Sequence, residues 1–97
     1  MAVAGSQNSG VIVASAAVYK DPCRLVSLQV ANTSGGLPAT VEVYDSATGA
    51  SGKLVAVMLI PPLDCREYDL HGAKMLNGVW LEIIGDVGTV KTSVCFA

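Results

Sequence analysis

Charged side chains are scarce in this sequence. Lys, Arg, Asp and Glu make up 14% of its 97 residues, whereas about 25% is usual for a globular domain. Six basic residues face eight acidic ones, which gives a formal net charge of −2. Nucleic-acid-binding domains carry a basic surface, so we expect no nucleic-acid partner. Because 52% of the residues are hydrophobic, the composition also excludes a disordered chain.

This small number of charges leaves much of the surface to Ala, Gly, Ser, Thr and Val. The mean hydropathy of the chain is +0.52, and a solitary soluble domain with such a surface tends to associate. We therefore expect other subunits to cover part of the surface, so that the chain is not a stable monomer. The alternative is a benign surface of small residues.

Long hydrophobic runs are also missing. The longest one, Leu54 to Leu63, contains Pro61 and Pro62, whereas a membrane-spanning helix needs about 20 apolar residues. We therefore expect no membrane partner.

The first ten residues carry no charged side chain and lack the basic start of a secretory signal. We interpret residues 1–10 as a flexible arm and residues 11–97 as a single domain. Ordering such an arm costs about 1–2 kcal/mol per residue, so we expect order only against a partner. Val3 would then enter a groove, and Gln7 and Asn8 would hydrogen-bond to exposed backbone.

Cysteine is present three times, as Cys23, Cys65 and Cys95. The odd number and the absence of a CxxC motif are not typical of a small secreted disulfide scaffold. We interpret the three as reduced, with Cys23 and Cys95 buried as small hydrophobic residues. A bridge between one pair stays an open alternative.

Groups for catalysis or metal binding are few. On a strand, Cys65, Glu67, Asp69 and His71 would share one face, and zinc needs three or four converging ligands. The chain has no second ligand group, so we predict a solvated strand face with no metal site and no cofactor. No catalytic signature surrounds any cysteine, and the Gly-rich segment 85–88 lacks the lysine of a phosphate loop. We therefore predict a protein that is not an enzyme.

Alternation with a period of two is the main pattern present. Val41 and Val43, for example, alternate with Glu42 and Tyr44, and valine favours pleated strands. Turn signals follow one another at intervals of about ten residues. The pattern predicts an all-β fold, an antiparallel two-sheet β-sandwich of jelly-roll or immunoglobulin-like type with seven or eight strands.

Three local features sharpen this prediction. The apolar run 53–60 is typical of a strand covered on both sides. Asn77-Gly78 and residues 85–88 predict hairpin turns. Segment 64–76 fits either two short strands around a turn at His71-Gly72, which we favour, or a helix.

Aromatic residues are 5% of the chain. Trp80 lies on the side of its predicted strand opposite Val79 and Leu81, and Tyr44 alternates with buried-type valines. Because Trp and Tyr dominate interaction hot spots, we take Tyr44 and Trp80 as candidate interface residues. Packing in the core is the alternative for Trp80.

The order of these segments resembles a recurring family of small virion proteins of tailed bacteriophages. Two runs carry the resemblance, PCRLVSLQVANTSGGLPATVEVYDSATGASGKLVAVMLIPP and HGAKMLNGVWLEIIGD. The similarity covers residues 11–97 and consists mostly of strand and turn chemistry. The three cysteines and the unusually hydrophobic fourth strand depart from the family pattern.

The resemblance implies a non-enzymatic structural protein. It would be a capsid decoration (cement) protein that binds and stabilises the major capsid shell, assembled in the host cytoplasm and located at the capsid surface of the virion. Its partners would be the major capsid protein and further copies of itself, with a trimer as one possible homo-oligomer. The alternative is a carbohydrate- or receptor-binding module of a head fibre or tail.

Overall fold

The computed structural model describes residues 7–86 and 88–97. These residues form eight strands and no helix, which confirms the predicted all-β sandwich. The strands are β1 (Gln7–Asn8), β2 (Ala16–Tyr19), β3 (Cys23–Asn32), β4 (Ala39–Asp45), β5 (Lys53–Ile60), β6 (Asp64–Met75), β7 (Val79–Ile84) and β8 (Val90–Phe96). The described part of the chain contains no helix that is long and apolar enough to cross a membrane.

The strands form two antiparallel sheets of four. One sheet has the order β1-β8-β3-β6 and the other has the order β2-β7-β4-β5. Every connection crosses from one sheet to the other except the one between β4 and β5. Eight strands wound in this way form a jelly roll, whereas the first two strands of an immunoglobulin fold are neighbours in one sheet.

The core lies between the two sheets and is built by alternation. In β4, Ala39, Val41, Val43 and Asp45 are buried, while the residues between them are only partly covered. Strand β3 contributes Leu25, Leu28 and Val30 from the opposite sheet, each fully buried. The side chains of a strand point alternately to its two faces, so each inward residue leaves its neighbours on the outside.

Two of the predicted turns are real, but they do not close hairpins. Asn77-Gly78 connects β6 to β7, and the described residues Gly85, Asp86 and Gly88 lie between β7 and β8, so both connections change sheets. At Gly78, φ is 134° and a Cβ atom would lie 2.5 Å from the carbonyl oxygen of Tyr19. The absence of a side chain at Gly78 therefore allows β2 to approach closely. The hairpin prediction is wrong, because local turn chemistry does not select the partner strand.

Residues 64–75 of segment 64–76 form β6, one continuous strand. It is therefore a strand and not a helix, and the expected turn at His71-Gly72 is a bulge within it. His71 and Gly72 have φ values of 54° and 72°. Their position coincides with the register shift that separates Leu25 from Ser27 in β3.

Residues 7–9 of the predicted arm are paired with the sandwich. Gln7 and Asn8 pair with Phe96 and Cys95 of β8, and the backbone N–H of Ser9 donates to the carbonyl oxygen of Val94 at 2.8 Å. The part of the predicted arm formed by residues 1–6, including Val3, lies outside the described residues.

Asn32 joins the two sheets at one end of the sandwich. Its side chain is buried, and its Nδ2 donates to the carbonyl oxygens of Leu37, Ile60 and Pro61 at 2.9, 3.2 and 3.3 Å. Its Oδ1 accepts a hydrogen bond from the N–H of Ser34 at 3.1 Å. One amide thus satisfies backbone groups just before β4 and at the end of β5, two strands of the sheet opposite its own.

We predict that Asn32→Ala lowers the free energy of unfolding by about 2 kcal/mol, because it leaves buried backbone carbonyls without their donor. The matched control is Thr33→Val, which removes the exposed hydrogen bond from Thr33 Oγ1 to the carbonyl oxygen of Thr89 and should cost less than about 1 kcal/mol. Urea unfolding of both variants measures the difference. Equal losses in the two variants would show that Asn32 does not hold the sheets together.

Candidate interaction face

The outward side of the sheet β2-β7-β4-β5, called the outer face below, carries the candidate site. Register places Tyr44 of β4 opposite Trp80 of β7, and it places Glu42 opposite Glu82. These four residues are called the acid–aromatic cluster. Alternation accounts for their position, because Val41, Val43, Val79 and Leu81 point into the core.

Two hydrogen bonds fix the cluster. Tyr44 Oη donates to Glu42 Oε1 at 3.1 Å, and Trp80 Nε1 donates to Glu82 Oε1 at 2.9 Å. On each strand the aromatic side chain therefore holds a carboxylate two positions away, which precedes it on β4 and follows it on β7. The hydrogen bond to Glu42, followed by desolvation and by the charges of Glu42 and Glu82, raises the pKa of Tyr44.

The two glutamates are a like-charge pair in directly opposite positions. Such neighbours have Cβ atoms about 4.5–5.5 Å apart, and like charges there are destabilising. Among the described residues no Lys, Arg or His forms an ion pair with either glutamate. Lys53 is the one basic residue in the four strands of this sheet, and it lies opposite Asp45.

Exposed apolar side chains border the cluster along β5 and at the end of β7. Leu59, Ile84, Val57 and Leu54 are 67%, 51%, 48% and 43% exposed, and these four are called the apolar border below. Leu54 is opposite Tyr44, Val57 is opposite Glu42, and Leu59 and Ile84 are both opposite Thr40. The border and the cluster therefore form one continuous surface.

Strand β5 is the part of this surface that departs most from expectation. Its apolar run predicts a strand covered on both sides, but β5 is the last strand of its sheet. Met58 and Ile60 are buried, while Val57 and Leu59 are exposed on the other side. The single chain thus covers only one side of a strand whose composition suits two covered sides.

A groove continues the outer face at the end of β5. It has a volume of about 440 Å³ and is lined by Pro38, Thr40, Leu59, Pro61 and Pro62 together with two buried residues of β4 and β5. Leu59 and Thr40 belong to both the groove and the outer face. A partner that covers the face therefore has a depression available at its margin.

Of the five residues predicted for the interface, the structure brings two together. Tyr44 and Trp80 face each other across β4 and β7. Gln7 and Asn8 lie in β1, at the edge of the other sheet, and Val3 lies outside the described residues. The sequence reasoning did not single out the two glutamates or the apolar border, because strand register decides which of these residues are neighbours.

The structure gives little support to a cysteine nucleophile or a metal site, the two alternatives considered from the sequence. Cys65 is exposed, and Cys23 and Cys95 are half-buried. Burial, followed by the charge of Asp45, raises the pKa of the Cys23 thiol, which opposes formation of a nucleophilic thiolate. Within residues 7–86 and 88–97, no three His, Cys, Asp or Glu side chains are placed to hold a metal ion.

We predict that Glu82→Gln raises the free energy of unfolding of the isolated chain by about 0.5 kcal/mol. The substitution removes the like charge opposite Glu42, while the amide oxygen still accepts from Trp80. The matched control is Glu67→Gln on the other sheet, where Glu67 Oε2 accepts from Gln29 Nε2 at 2.9 Å.

Thermal unfolding at low salt measures both variants, and the gain for Glu82→Gln should shrink in 1 M NaCl because salt screens surface charges. A loss of stability, or a gain that Glu67→Gln matches, would contradict the like-charge description of the outer face.

Comparisons with protein-family models, curated proteins and solved structures found no match to this chain.

Proposed function

We propose that this protein is a non-enzymatic structural component of a bacteriophage virion, a decoration (cement) protein that binds and stabilises the major capsid shell. The outer face is the observation that carries the proposal. It is a broad, partly apolar surface on a domain whose core is already complete, and surfaces of this kind are typical of protein–protein contacts.

Two further observations, the jelly-roll fold and the sequence resemblance, support the proposal. Jelly rolls are common in viral capsid proteins and in lectins, which is an argument by analogy because one fold serves many functions. The strand and turn segments of residues 11–97 resemble those of small virion proteins of tailed phages.

Burial of the apolar border would supply the binding energy. Removing apolar surface from water contributes about 25 cal/mol per Å², before the entropic cost of association is subtracted. A half-exposed leucine would then contribute on the order of 1 kcal/mol. A homo-oligomer, such as a trimer, would hold several such faces on the shell at once, and multivalency would make its release slow.

Charge places a limit on how the copies of this chain would associate. Two outer faces packed against each other would bring four carboxylates together, since each contributes Glu42 and Glu82. Such an arrangement is unfavourable, because like charges at close range repel. The proposed homo-oligomer would therefore use another surface and leave the outer face to the capsid protein.

The second candidate is a carbohydrate-binding head-fibre or tail module. One observation favours it, which is the pairing of Tyr44 with Trp80 beside two carboxylates on an open face. Against it, the Tyr44 hydroxyl and the Trp80 indole N–H already donate to Glu42 and Glu82, and the surrounding residues are apolar. A sugar would need free polar partners in that position.

Co-sedimentation tests the proposal. The full chain is mixed with empty shells assembled from the major capsid protein of the same phage, and we expect saturable binding. Leu59→Gln should weaken it about 5- to 30-fold, which corresponds to about 1–2 kcal/mol per contact. The matched control is Leu76→Gln, because Leu76 is also an exposed leucine but lies outside the outer face.

Absence of the wild-type chain from the shell pellet would contradict the proposal. Binding to glycans on an array, together with no binding to shells, would favour the second candidate. Equal effects of Leu59→Gln and Leu76→Gln would show that the shell contact lies elsewhere on the domain.

A further inference from the structure

We infer that the outer face receives a partner segment that presents an arginine between apolar side chains, with the guanidinium seated on the acid–aromatic cluster. The inference rests on the proposed function in so far as it describes the capsid surface that would be bound. It names the chemistry of the partner, which the apolar border alone does not determine.

The negative charge of the outer face favours a cationic partner. Glu42 and Glu82 place two negative charges side by side in the middle of the outer face, and the described residues supply neither with a cationic partner. Four of the six basic residues lie in the other sheet, as Arg24, Arg66, Lys74 and Lys91. The face therefore has an unbalanced charge that a cationic partner would neutralise.

The acid–aromatic cluster fits an arginine side chain better than a lysine side chain. Tyr44 and Trp80 stand beside the carboxylates, so that a cation on the cluster would meet both acidic oxygens and aromatic rings. Arginine suits this combination, because its planar guanidinium donates in a fork to carboxylates and also stacks on aromatic rings. The compact, strongly hydrated ammonium of lysine makes neither contact as well.

The residues that flank this arginine in the partner segment would be apolar. Exposed apolar residues lie on two sides of the cluster, with Leu54, Val57 and Leu59 on β5 and Ile84 on β7. A segment that crosses the face would set apolar side chains against β5 on one flank of its arginine and against Ile84 at one end. The ion pair would then be shielded from water, which strengthens it.

Binding of an arginine would also explain why Glu42 and Glu82 lie opposite each other. A sequence that specifies its fold usually avoids local conflicts, and the conflicts that persist are expected at functional sites. Two opposed glutamates weaken the isolated sheet. The same two residues would strengthen a complex in which one guanidinium lies between them.

A second copy of the chain is a poorer occupant of this face. An isologous contact centred on the acid–aromatic cluster would place Glu42 and Glu82 of one protomer against the same residues of the other, without any added positive charge. Association of that kind would make the emission of Trp80, the sole tryptophan of the chain, depend on protein concentration. This dependence supplies a test of self-association that needs no partner.

Tryptophan fluorescence tests the inference directly, since Trp80 belongs to the cluster. The full chain is titrated with acetyl-Leu-Arg-Val-amide and with the same tripeptide carrying citrulline, the uncharged analogue of arginine. We expect a saturable change in emission with the arginine peptide and an affinity at least fivefold weaker for the citrulline peptide. Glu42→Gln combined with Glu82→Gln should remove that preference, whereas Glu67→Gln should retain it.

Equal responses to the two peptides, or a preference that survives in the double variant, would overturn the inference. Emission that changes between 1 and 100 µM protein without peptide in the wild-type chain but not in Leu59→Gln would overturn it in favour of self-association through the outer face. The peptide titration does not involve the capsid. Shell binding without a preference for the arginine peptide would therefore reject the inference alone, and an arginine preference without shell binding would reject the proposed function alone.

Discussion

Strands β2 to β8 each give one of their two sides to a single core, and the rest of the structure depends on that constraint. The fully buried residues of β3, β4, β7 and β8 are mostly Val and Leu at alternate positions. Once Val41 and Val43 point inward, Glu42 and Tyr44 must point outward, because successive side chains of a strand alternate. The composition of the outer face thus follows from the packing of the core.

The jelly-roll winding then decides which outward residues become neighbours. Glu42 and Glu82 are 40 positions apart in the sequence, and they meet because β4 pairs with β7 in one particular register. The result is a surface with two properties that do not suit an isolated domain, namely exposed apolar side chains and an uncompensated pair of carboxylates. Both properties become favourable if a partner covers the surface with apolar side chains and a positive charge, and this supports an interaction role.

The sequence was sufficient for the fold class but not for the topology. Alternation and valine content predicted a two-sheet antiparallel sandwich. For 64–76, Gly72 in the middle of the segment and the shortness of the helical pattern favoured two short strands over a helix. Turn chemistry placed Asn77-Gly78 correctly as a turn, yet the turn leads to the other sheet, because short-range signals contain no information about the partner strand. The composition of β5 predicted two covered sides, whereas the single chain covers one.

The candidate site was predictable only in part, for the same reason. Tyr44 and Trp80 were recognisable as aromatic residues opposite buried-type positions, each on its own strand. Their juxtaposition and the glutamate pair beside them depend on pairing between distant strands, which alternation within one strand does not reveal. Gln7 and Asn8, chosen from the composition of the first ten residues, lie in the other sheet.

Electron cryomicroscopy of shells with and without this protein tests the central claim most directly. The account predicts additional density on decorated shells, with the outer face of β2-β7-β4-β5 turned toward the capsid protein and a basic side chain between Glu42 and Glu82. Density in which that face points to solvent, or shells that gain no density at all, would contradict it.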